Sequence, residues 1–250
     1  MKALPFLHQV GVQSLTTLLA LGSTTAALAE PYVPPAGLGA PARRESAGTR
    51  GCVFGNPANL VALMPENNVG WTTDAYPRFY WYLPINQASF VEFQLEQISE
   101  TSEAPETPVV LYQTRFAVTG EAGIMSLALL ETASMPPLVE GDRYRWQVSI
   151  FCSPASEEGE LQVEGWIERQ VLDAELMTAI SEASESELVG LYARNGYWFN
   201  ALDQLVELHM ADPENPDWQD QWTEFLDSVD LENIAGQPFF IHADAIADAD

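Results

Sequence analysis

The hydrophobic and polar positions of the chain alternate most regularly over residues 143–152. Tyr144, Trp146, Val148 and Ile150 fall on one side of the alternation, and the residues between them are arginine, glutamine and serine. A period of two predicts a β-strand, because successive side chains of a strand point to opposite faces. Aromatic and β-branched residues on one face are typical of the inner side of a two-layer β-structure. We therefore expect this strand at the centre of a β-sandwich.

Six further segments carry strand patterns, and they cover residues 59–64, 77–84, 89–97, 109–118, 123–130 and 161–171. Turn residues separate them. Seven short strands at this spacing predict an antiparallel β-sandwich of immunoglobulin-like type. In that arrangement Cys152 ends the central strand and Cys52 precedes the first one.

From Asp173 onward the apolar residues recur at helical spacing. Ser184 followed by Glu187 is the signature of a capping box, and Asp217 can cap the last helix. The segment 191–208 resembles one tetratricopeptide hairpin. If it functions as such a repeat, it provides a docking surface for other repeats of this kind. A solenoid needs three or more repeats, so we favour an ordinary helical hairpin packed on the sandwich.

The first 29 residues have the parts of a signal peptide: Lys2, an apolar stretch, and the cleavage pattern Ala27-Leu28-Ala29. An uncleaved anchor is the alternative, although polar residues at 13–17 make this stretch a poor membrane-spanning helix. No later segment approaches a transmembrane run, so we expect no membrane insertion of the mature chain. These observations predict an exported protein, either periplasmic or extracellular.

The predicted fold class is therefore α+β, with an N-terminal immunoglobulin-like antiparallel β-sandwich and a small C-terminal helical region packed against it. The predicted divisions are a signal peptide at 1–29, an extended arm at 30–50, the sandwich at 51–172, the helical region at 173–240 and an acidic tail at 241–250. The arm is rich in proline, glycine and arginine.

The charge of the chain narrows its possible partners. Ten basic residues against 36 acidic ones give a net charge of −26, which repels nucleic acid and anionic lipid. A hydrophobic content of 47% still predicts a packed core. Arg43, Arg44 and Arg50 concentrate positive charge in the arm. We favour pairing of these arginines with the acidic surface of the chain itself, the alternative being a docking site for an anionic partner.

The chain has two cysteines, Cys52 and Cys152. An even number in an exported protein favours one disulfide, which would close a loop of about 100 residues. Two buried free thiols are the alternative. There is no C-x-x-C motif, so the signatures of redox catalysis and of a cysteine-rich zinc site are missing.

Motifs of catalysis are also missing, including the nucleophile elbow, the zinc-protease helix and the phosphate loop. His209 lies beside an apolar helical stripe, where packing is the favoured role. A carboxylate pair of the kind used by glycoside hydrolases is still open among 36 acidic residues. We predict no catalytic residue, no cofactor and no metal ligand.

Aromatic residues on outward strand positions form part of a candidate interaction surface. Tyr80, Tyr82 and Trp166 point away from the predicted core and could form a platform for a sugar or a peptide. We favour their covering by the helices, because the helical stripes must pack against something. With Tyr197 and Trp198 of the helical hairpin and the three arginines of the arm, they complete the candidate surface.

Several short motifs occur in a fairly specific order: Arg43-Arg44, Thr49-Arg50-Gly51-Cys52, residues 60–65, Pro77 and Pro84 around aromatics, residues 91–95, Tyr144-Arg145-Trp146 with Cys152, residues 165–169, Tyr192-Ala193 and residues 196–202. Together they resemble a cyanobacterial exported family, domain of unknown function 928. The resemblance implies compartment and architecture, and it brings no activity, cofactor or catalytic residue. Phe199-Asn200 departs from the expected Tyr-Asp pair and removes a carboxylate there.

These patterns favour a non-enzymatic exported binding or interaction module of the cell envelope that engages a protein partner. The alternative is a carboxylate-dependent glycan hydrolase or a carbohydrate-binding protein, with a glycan as ligand. A hydrolase would need two acids at the bottom of an aromatic-lined cleft.

Overall fold

A computed structural model describes residues 31–40, 43–46, 51–55, 59–98, 108–131, 135–156 and 158–240. The predicted signal peptide, the acidic tail and Arg50 lie outside the described residues. The strands are β1 (Val53–Phe54), β2 (Val61–Ala62), β3 (Val69–Thr72), β4 (Arg78–Leu83), β5 (Ile85–Asn86), β6 (Phe90–Gln97), β7 (Val109–Phe116), β8 (Gly123–Ala128), β9 (Arg143–Phe151), β10 (Leu161–Arg169) and β11 (Phe239–Phe240). The α-helices are α1 (Ala174–Glu182), α2 (Glu185–Arg194), α3 (Trp198–Ala211) and α4 (Pro216–Asp227), followed by a 3-10 helix at Glu232–Ile234.

The strands form two larger sheets and one short pair. The five-stranded sheet has the order β3-β10-β9-β6-β7, and the four-stranded sheet has the order β11-β8-β4-β2, while β1 pairs with β5. The seven predicted strands are all present, and β9 occupies the predicted central position. The strands that the sequence pattern did not predict are β1, β3, β5 and β11, which contain two to four residues each. Such short segments hold too few residues for an alternation to show.

The prediction that all strands are antiparallel is wrong in two places. Strand β10 runs parallel to β3, with Trp166 opposite Val69, and β11 runs parallel to β8, with Phe239 opposite Ile124. Alternation along one strand carries no information about the direction of a neighbour that is distant in the chain. The fold is thus mixed α+β, and its strand order does not confirm an immunoglobulin-like arrangement.

An aromatic core fills the space between the two larger sheets. The ring of Phe79 on β4 lies 5.1 Å from that of Phe93 on β6 and 5.4 Å from that of Trp146 on β9. The alternating residues of β9, including Tyr144 and Val148, are buried as predicted. Burial of large aromatic side chains is the main stabilisation available to such a layer.

The predicted disulfide between Cys52 and Cys152 is confirmed. It joins the residue before β1 to the residue after β9, 100 positions apart in sequence. The chain-entropy model gives a closed loop of this length roughly 4–5 kcal/mol of stabilisation, mainly by restricting the unfolded chain.

The starts of the helices follow from their capping residues. The capping box is present, with the backbone N–H of Ser184 donating to the carboxylate of Glu187 over 2.8 Å. Asp217 is not the cap of α4, because Asn215 accepts a hydrogen bond from the backbone N–H of Asp217 instead. Pro216 follows Asn215 and fits the first helical position, where no amide hydrogen is needed.

Helix α3 packs against β3 and β4 and ties the helical region to the sheets. The indole Nε1 of Trp198 donates to the carbonyl oxygen of Leu63 over 3.0 Å. Gly70 on β3 allows this close approach, since a Cβ there would lie 2.7 Å from the Cβ of Trp198. Tyr32 from the predicted arm packs edge-on against Trp198 at 4.9 Å, so this part of the arm belongs to the core. No helix in the described part of the chain is long and apolar enough to cross a membrane.

Candidate functional site

Four of the aromatic residues proposed for an interaction surface are buried in the structure. Tyr80 and Tyr82 are 3% and 2% exposed, and Tyr197 and Trp198 are also buried. These four residues therefore do not form an interaction surface, contrary to that prediction. The physical reason is the packing of α3, whose Asp203 accepts a hydrogen bond from the hydroxyl of Tyr80. The favoured alternative, covering of outward aromatics by helices, describes Tyr80 well.

The arm arginines have separate environments. The guanidinium of Arg44 donates to the carbonyl oxygens of Val229, at 2.7 Å, and Met64, at 3.4 Å, and lies 4.0 Å from the carboxylate of Glu45. Arg44 is therefore held by the chain itself. Arg43 is exposed, and its carbonyl oxygen accepts from the backbone N–H of Glu164 on β10.

The outer side of the five-stranded sheet brings many polar side chains together. We call it the polar face and define it by outward residues of β10, β9, β6 and β7: Gln162, Glu164, Trp166, Glu168, Arg143, Arg145, Gln147, Ser149, Glu92, Gln94, Glu96, Gln113 and Arg115. In the described part of the chain, the main contacts between helices and strands involve β3 and β4. Strand β3 is the edge strand of this same sheet, so the helices meet the sheet beside β10, and none of their main described contacts is with β9, β6 or β7.

Ion pairs cross the strands of the polar face. The guanidinium of Arg145 lies 2.5 Å from the carboxylate of Glu96 and 3.9 Å from that of Glu164. Two further pairs are Arg143 with Glu168 at 3.1 Å and Arg115 with Glu92 at 2.5 Å. Three arginines thus face four glutamates, so this face is nearly neutral on a chain of net charge −26.

A row of amides runs through the middle of the polar face. Gln94 stands opposite Gln113 on one side and Gln147 on the other, and Gln147 stands opposite Glu164. The amide of Gln147 donates to the hydroxyl of Ser149 over 2.9 Å, which fixes its orientation. A shallow cavity of about 100 Å³ lies at one end and is lined by Arg43, Gln147, Gln162, Val163 and Glu164. Trp166 is half-buried at the same side of the sheet, opposite Arg145.

A second polar cluster lies between β4 and α3. The carboxylate of Asp203 accepts from the hydroxyl of Tyr80 and lies 3.2 Å from the guanidinium of Arg78. A shallow cavity of about 110 Å³ beside it is lined by Arg78, Tyr80, Ser126, Val206, Glu207 and Met210. Burial, reinforced by Asp203, raises the pKa of Glu207 above its ordinary value. Burial also raises the pKa of Tyr80 well above its usual range, so its hydroxyl keeps the proton that it donates.

Asn200 extends this second cluster towards β3. Its amide nitrogen donates to the carboxylate of Asp74 over 3.0 Å, and its amide oxygen accepts from the backbone N–H of Thr73 over 2.9 Å. Partial burial raises the pKa of Asp74, while hydrogen bonds from Thr73 and Asn200 act in the opposite direction. The residue that departs from the expected family pattern is therefore a structural link between α3 and the end of β3.

The arrangement of the second cluster favours structure over catalysis. A glycoside hydrolase needs one carboxyl to donate a proton and a second carboxylate to attack or to activate water. Asp203 accepts a hydrogen bond from Tyr80 and forms an ion pair with Arg78, so its carboxylate is engaged by structural partners. His209 packs near Trp222 and Phe239, and burial lowers its pKa. Among the described residues, no three His, Cys, Asp or Glu side chains are placed to hold a metal ion.

The sequence analysis predicted neither the ion pairs of the polar face nor the second polar cluster between β4 and α3. The glutamates at 92, 96, 164 and 168 alternate with apolar residues along their strands, and each pairs with an arginine across strands that the sequence analysis did not assign. Alternating acids on two segments and alternating bases on a third are a usable signal for such pairs. Asp203 and Arg78 gave no such signal, because their contact depends on how α3 packs over β4.

The protein is of mixed α+β class, is cross-linked by one disulfide, and presents a polar face on its five-stranded sheet. The chain belongs to the family described as Domain of Unknown Function (DUF928), whose model matches residues 45–239. No curated protein matches the chain.

One solved structure with a partial likeness is the crystal structure of beta-glucosidase from Listeria innocua in complex with gluconolactone. The identity is 12% and the TM-score is 0.26, and the match covers 45% of this chain and 16% of the glucosidase chain. A likeness of this extent carries no argument about fold or function.

Proposed function

We propose that this chain is a non-enzymatic binding module of the cell envelope, which holds a protein partner against the polar face. The observation that supports the proposal is the contrast between an open sheet face and the strongly acidic remainder of the chain. Three of the nine arginines lie on this face, each paired with a glutamate. A partner approaching there meets a nearly neutral surface, although net charge disfavours anionic partners elsewhere.

The polar face is well ordered for binding. Ion pairs and amide hydrogen bonds already fix its long side chains, as with Arg145 between Glu96 and Glu164. Ordering such side chains on binding costs about 0.5–1.5 kcal/mol each. A surface that is ordered beforehand avoids much of this cost, which favours recognition by a partner of matching shape.

The extent of the polar face suits a modest protein interface. Four strands about 4.8 Å apart, with about eight residues at 3.3 Å each, span roughly 500 Å². Transient protein complexes bury less than about 600 Å² on each partner. We therefore propose a transient contact, and a location in the periplasm or outside the cell. The disulfide supports that location, because such bonds persist in oxidising compartments. The cyanobacterial source stays a prediction.

Two variants with the same chemical change test the proposed surface. Gln147→Lys places a charge at the centre of the polar face, whereas Gln204→Lys makes the same change at a half-buried position of α3. Each mature protein is cross-linked to solubilised proteins of the native envelope, and each captured protein is then purified and titrated. We expect saturable binding by the wild type and by Gln204→Lys, and its loss in Gln147→Lys. Equal binding by both variants would contradict the proposal.

A carbohydrate-binding role is the second candidate, and the amide row favours it, because amides and carboxylates hydrogen-bond sugar hydroxyls. Binding of purified envelope polysaccharides by the wild type, lost in Gln147→Lys, would replace the protein partner by a glycan. For the hydrolase alternative the informative variant is Glu207→Gln, at the carboxyl with a raised pKa. We expect the wild type and this variant to leave polysaccharide chain lengths unchanged. Cleavage by the wild type alone would establish an enzyme.

A further inference from the structure

Strand β7 is the last strand of the five-stranded sheet and has one free edge. It pairs with β6 over Val109–Phe116, and no described residue pairs with its other side. An edge strand presents a row of backbone N–H and C=O groups, for which another extended chain is the natural complement. Eight residues are long enough to bind a peptide strand along the whole edge.

The sequence of β7 lacks the features that usually protect an edge. Natural edges carry lysines, inward charges or prolines. Strand β7 has the sequence VVLYQTRF, in which Arg115 is the one charged residue, and that side chain is paired with Glu92. Val109 and Val110 are 58% and 47% exposed. This edge therefore offers both backbone groups and apolar contacts.

Charge decides which kind of strand fits the edge. A second copy of this chain would bring another charge of −26 to the same place, which opposes self-pairing. The negative charge of the whole chain attracts a basic segment. The backbone of an extended segment can pair with the N–H and C=O groups of the edge. We propose that the β7 edge binds an extended, basic polypeptide segment of a partner protein by adding it as a sixth strand. The edge adjoins the polar face, because Val110 stands opposite Glu96. The methylated peptide tests the edge by itself, so either proposal can fail alone.

The test uses the mature full-length protein and the peptide Lys-Thr-Val-Thr-Val-Thr-Val-Thr-Lys, with blocked ends. A second peptide of the same sequence carries methyl groups on alternate backbone nitrogens, which removes the hydrogen-bond donors of one edge without changing charge. The protein variants are Val110→Lys on β7 and Val110→Thr, which keeps a β-branched residue. Ile85→Lys makes the same charge change at an exposed apolar position on β5.

We expect the wild type, Val110→Thr and Ile85→Lys to bind the first peptide, with slower amide hydrogen exchange across 109–116. Binding should weaken by about tenfold or more in Val110→Lys, because the lysine repels the basic peptide and removes an apolar contact. It should weaken as much for the methylated peptide, because backbone hydrogen bonds supply the affinity. Equal binding of both peptides would show attraction by charge alone and overturn the proposal, as would no binding or unchanged binding by Val110→Lys. Concentration-dependent dimers that Val110→Lys abolishes would assign the edge to a second copy, which also overturns it.

Discussion

The two larger sheets have outer faces with the same alternating pattern and opposite environments. On the four-stranded sheet, α3 covers β4, and the outward polar groups of Arg78 and Tyr80 reach Asp203 of the helix. On the five-stranded sheet, the outward polar groups meet each other across strands, as Arg145 does with Glu96. Alternation alone therefore tells which residues share a face, and composition decides whether a helix can cover it.

Desolvation explains the difference between the faces. Covering the polar face would remove several charged groups from water, each at a cost of several kcal/mol that pairing only partly offsets. Tyr80 and Tyr82 instead offer aromatic area with a polar tip, which a helix can bury at little cost. The buried aromatic face thus serves stability, and the charged face stays available for contact.

The largest expected loss of stability comes from replacing a tryptophan by alanine on the covered side, and the same replacement on the polar face is its control. Trp198→Ala removes a fully buried indole that stacks on Phe225 and bonds to Leu63, so we expect a loss of about 3–5 kcal/mol of unfolding free energy. Trp166→Ala, at a half-buried position of the polar face, should cost less than half as much. Urea unfolding at pH 7 measures both. Equal losses would remove the distinction between a covered and an open side.

The next largest effect concerns the bond between β4 and α3. Tyr80→Phe removes the hydroxyl that donates to Asp203, and a hydrogen bond to a charged group contributes about 1.5–3 kcal/mol. Asp203→Asn with Tyr80→Phe completes a double-mutant cycle that isolates this contact. Tyr76→Phe is the control, because its hydroxyl has no hydrogen-bond partner within the described ranges. A coupling near zero in the cycle would show that α3 does not depend on this bond.

A pH effect is expected where α3 meets β3. Asn200→Asp places a carboxylate beside Asp74, and like charges raise the pKa of the pair in the folded state. The folded variant then binds more protons than the unfolded chain, so its stability falls as pH rises through the raised pKa. We expect a loss of about 1–2 kcal/mol at pH 7, which recovers towards pH 4. Asn200→Ser lacks the charge and should show no such recovery. A pH-independent loss in Asn200→Asp would contradict this account.

The smallest expected effect lies on the polar face. Arg145→Gln breaks the contacts with Glu96 and Glu164, but an opposite-charge pair across neighbouring strands contributes only about 0.2–1 kcal/mol. The loss should shrink further in high salt, which screens these charges. Thermal unfolding at low and high salt measures it, with Gln147→Ala as a neutral control. A loss above about 2 kcal/mol would mean that the ion pairs of the polar face chiefly stabilise the fold.

The sequence was sufficient for the long strands, the capping box and the disulfide, because each depends on local spacing or on a simple count. It was insufficient for the direction of β10 against β3 and for the short strands, which are set by distant parts of the chain. Tyr80 and Trp166 look alike as outward aromatics in the sequence. Packing of α3 separates them, since it buries one and leaves the other half-exposed.

The same limit applied to the candidate sites. The glutamates and arginines of the polar face could be assigned to outward positions, but their pairing needed the strand order β10-β9-β6-β7. Asn200 could be recognised as a departure from a family pattern, and its role beside Asp74 needed the position of α3. Local patterns therefore predict elements and faces, whereas contacts between elements require the fold.

Carboxyl footprinting tests the central claim, that the polar face is the contact surface, most directly. The mature protein is labelled with a carbodiimide and an amine in the presence and absence of solubilised native envelope proteins, and labelling is read by mass spectrometry. We predict that protection falls on the half-buried Glu96, Glu164 and Glu168 of the polar face, while the exposed helical carboxylates at 175, 182 and 185 label unchanged. Protection of the helical carboxylates with unchanged labelling of the polar face would contradict the account.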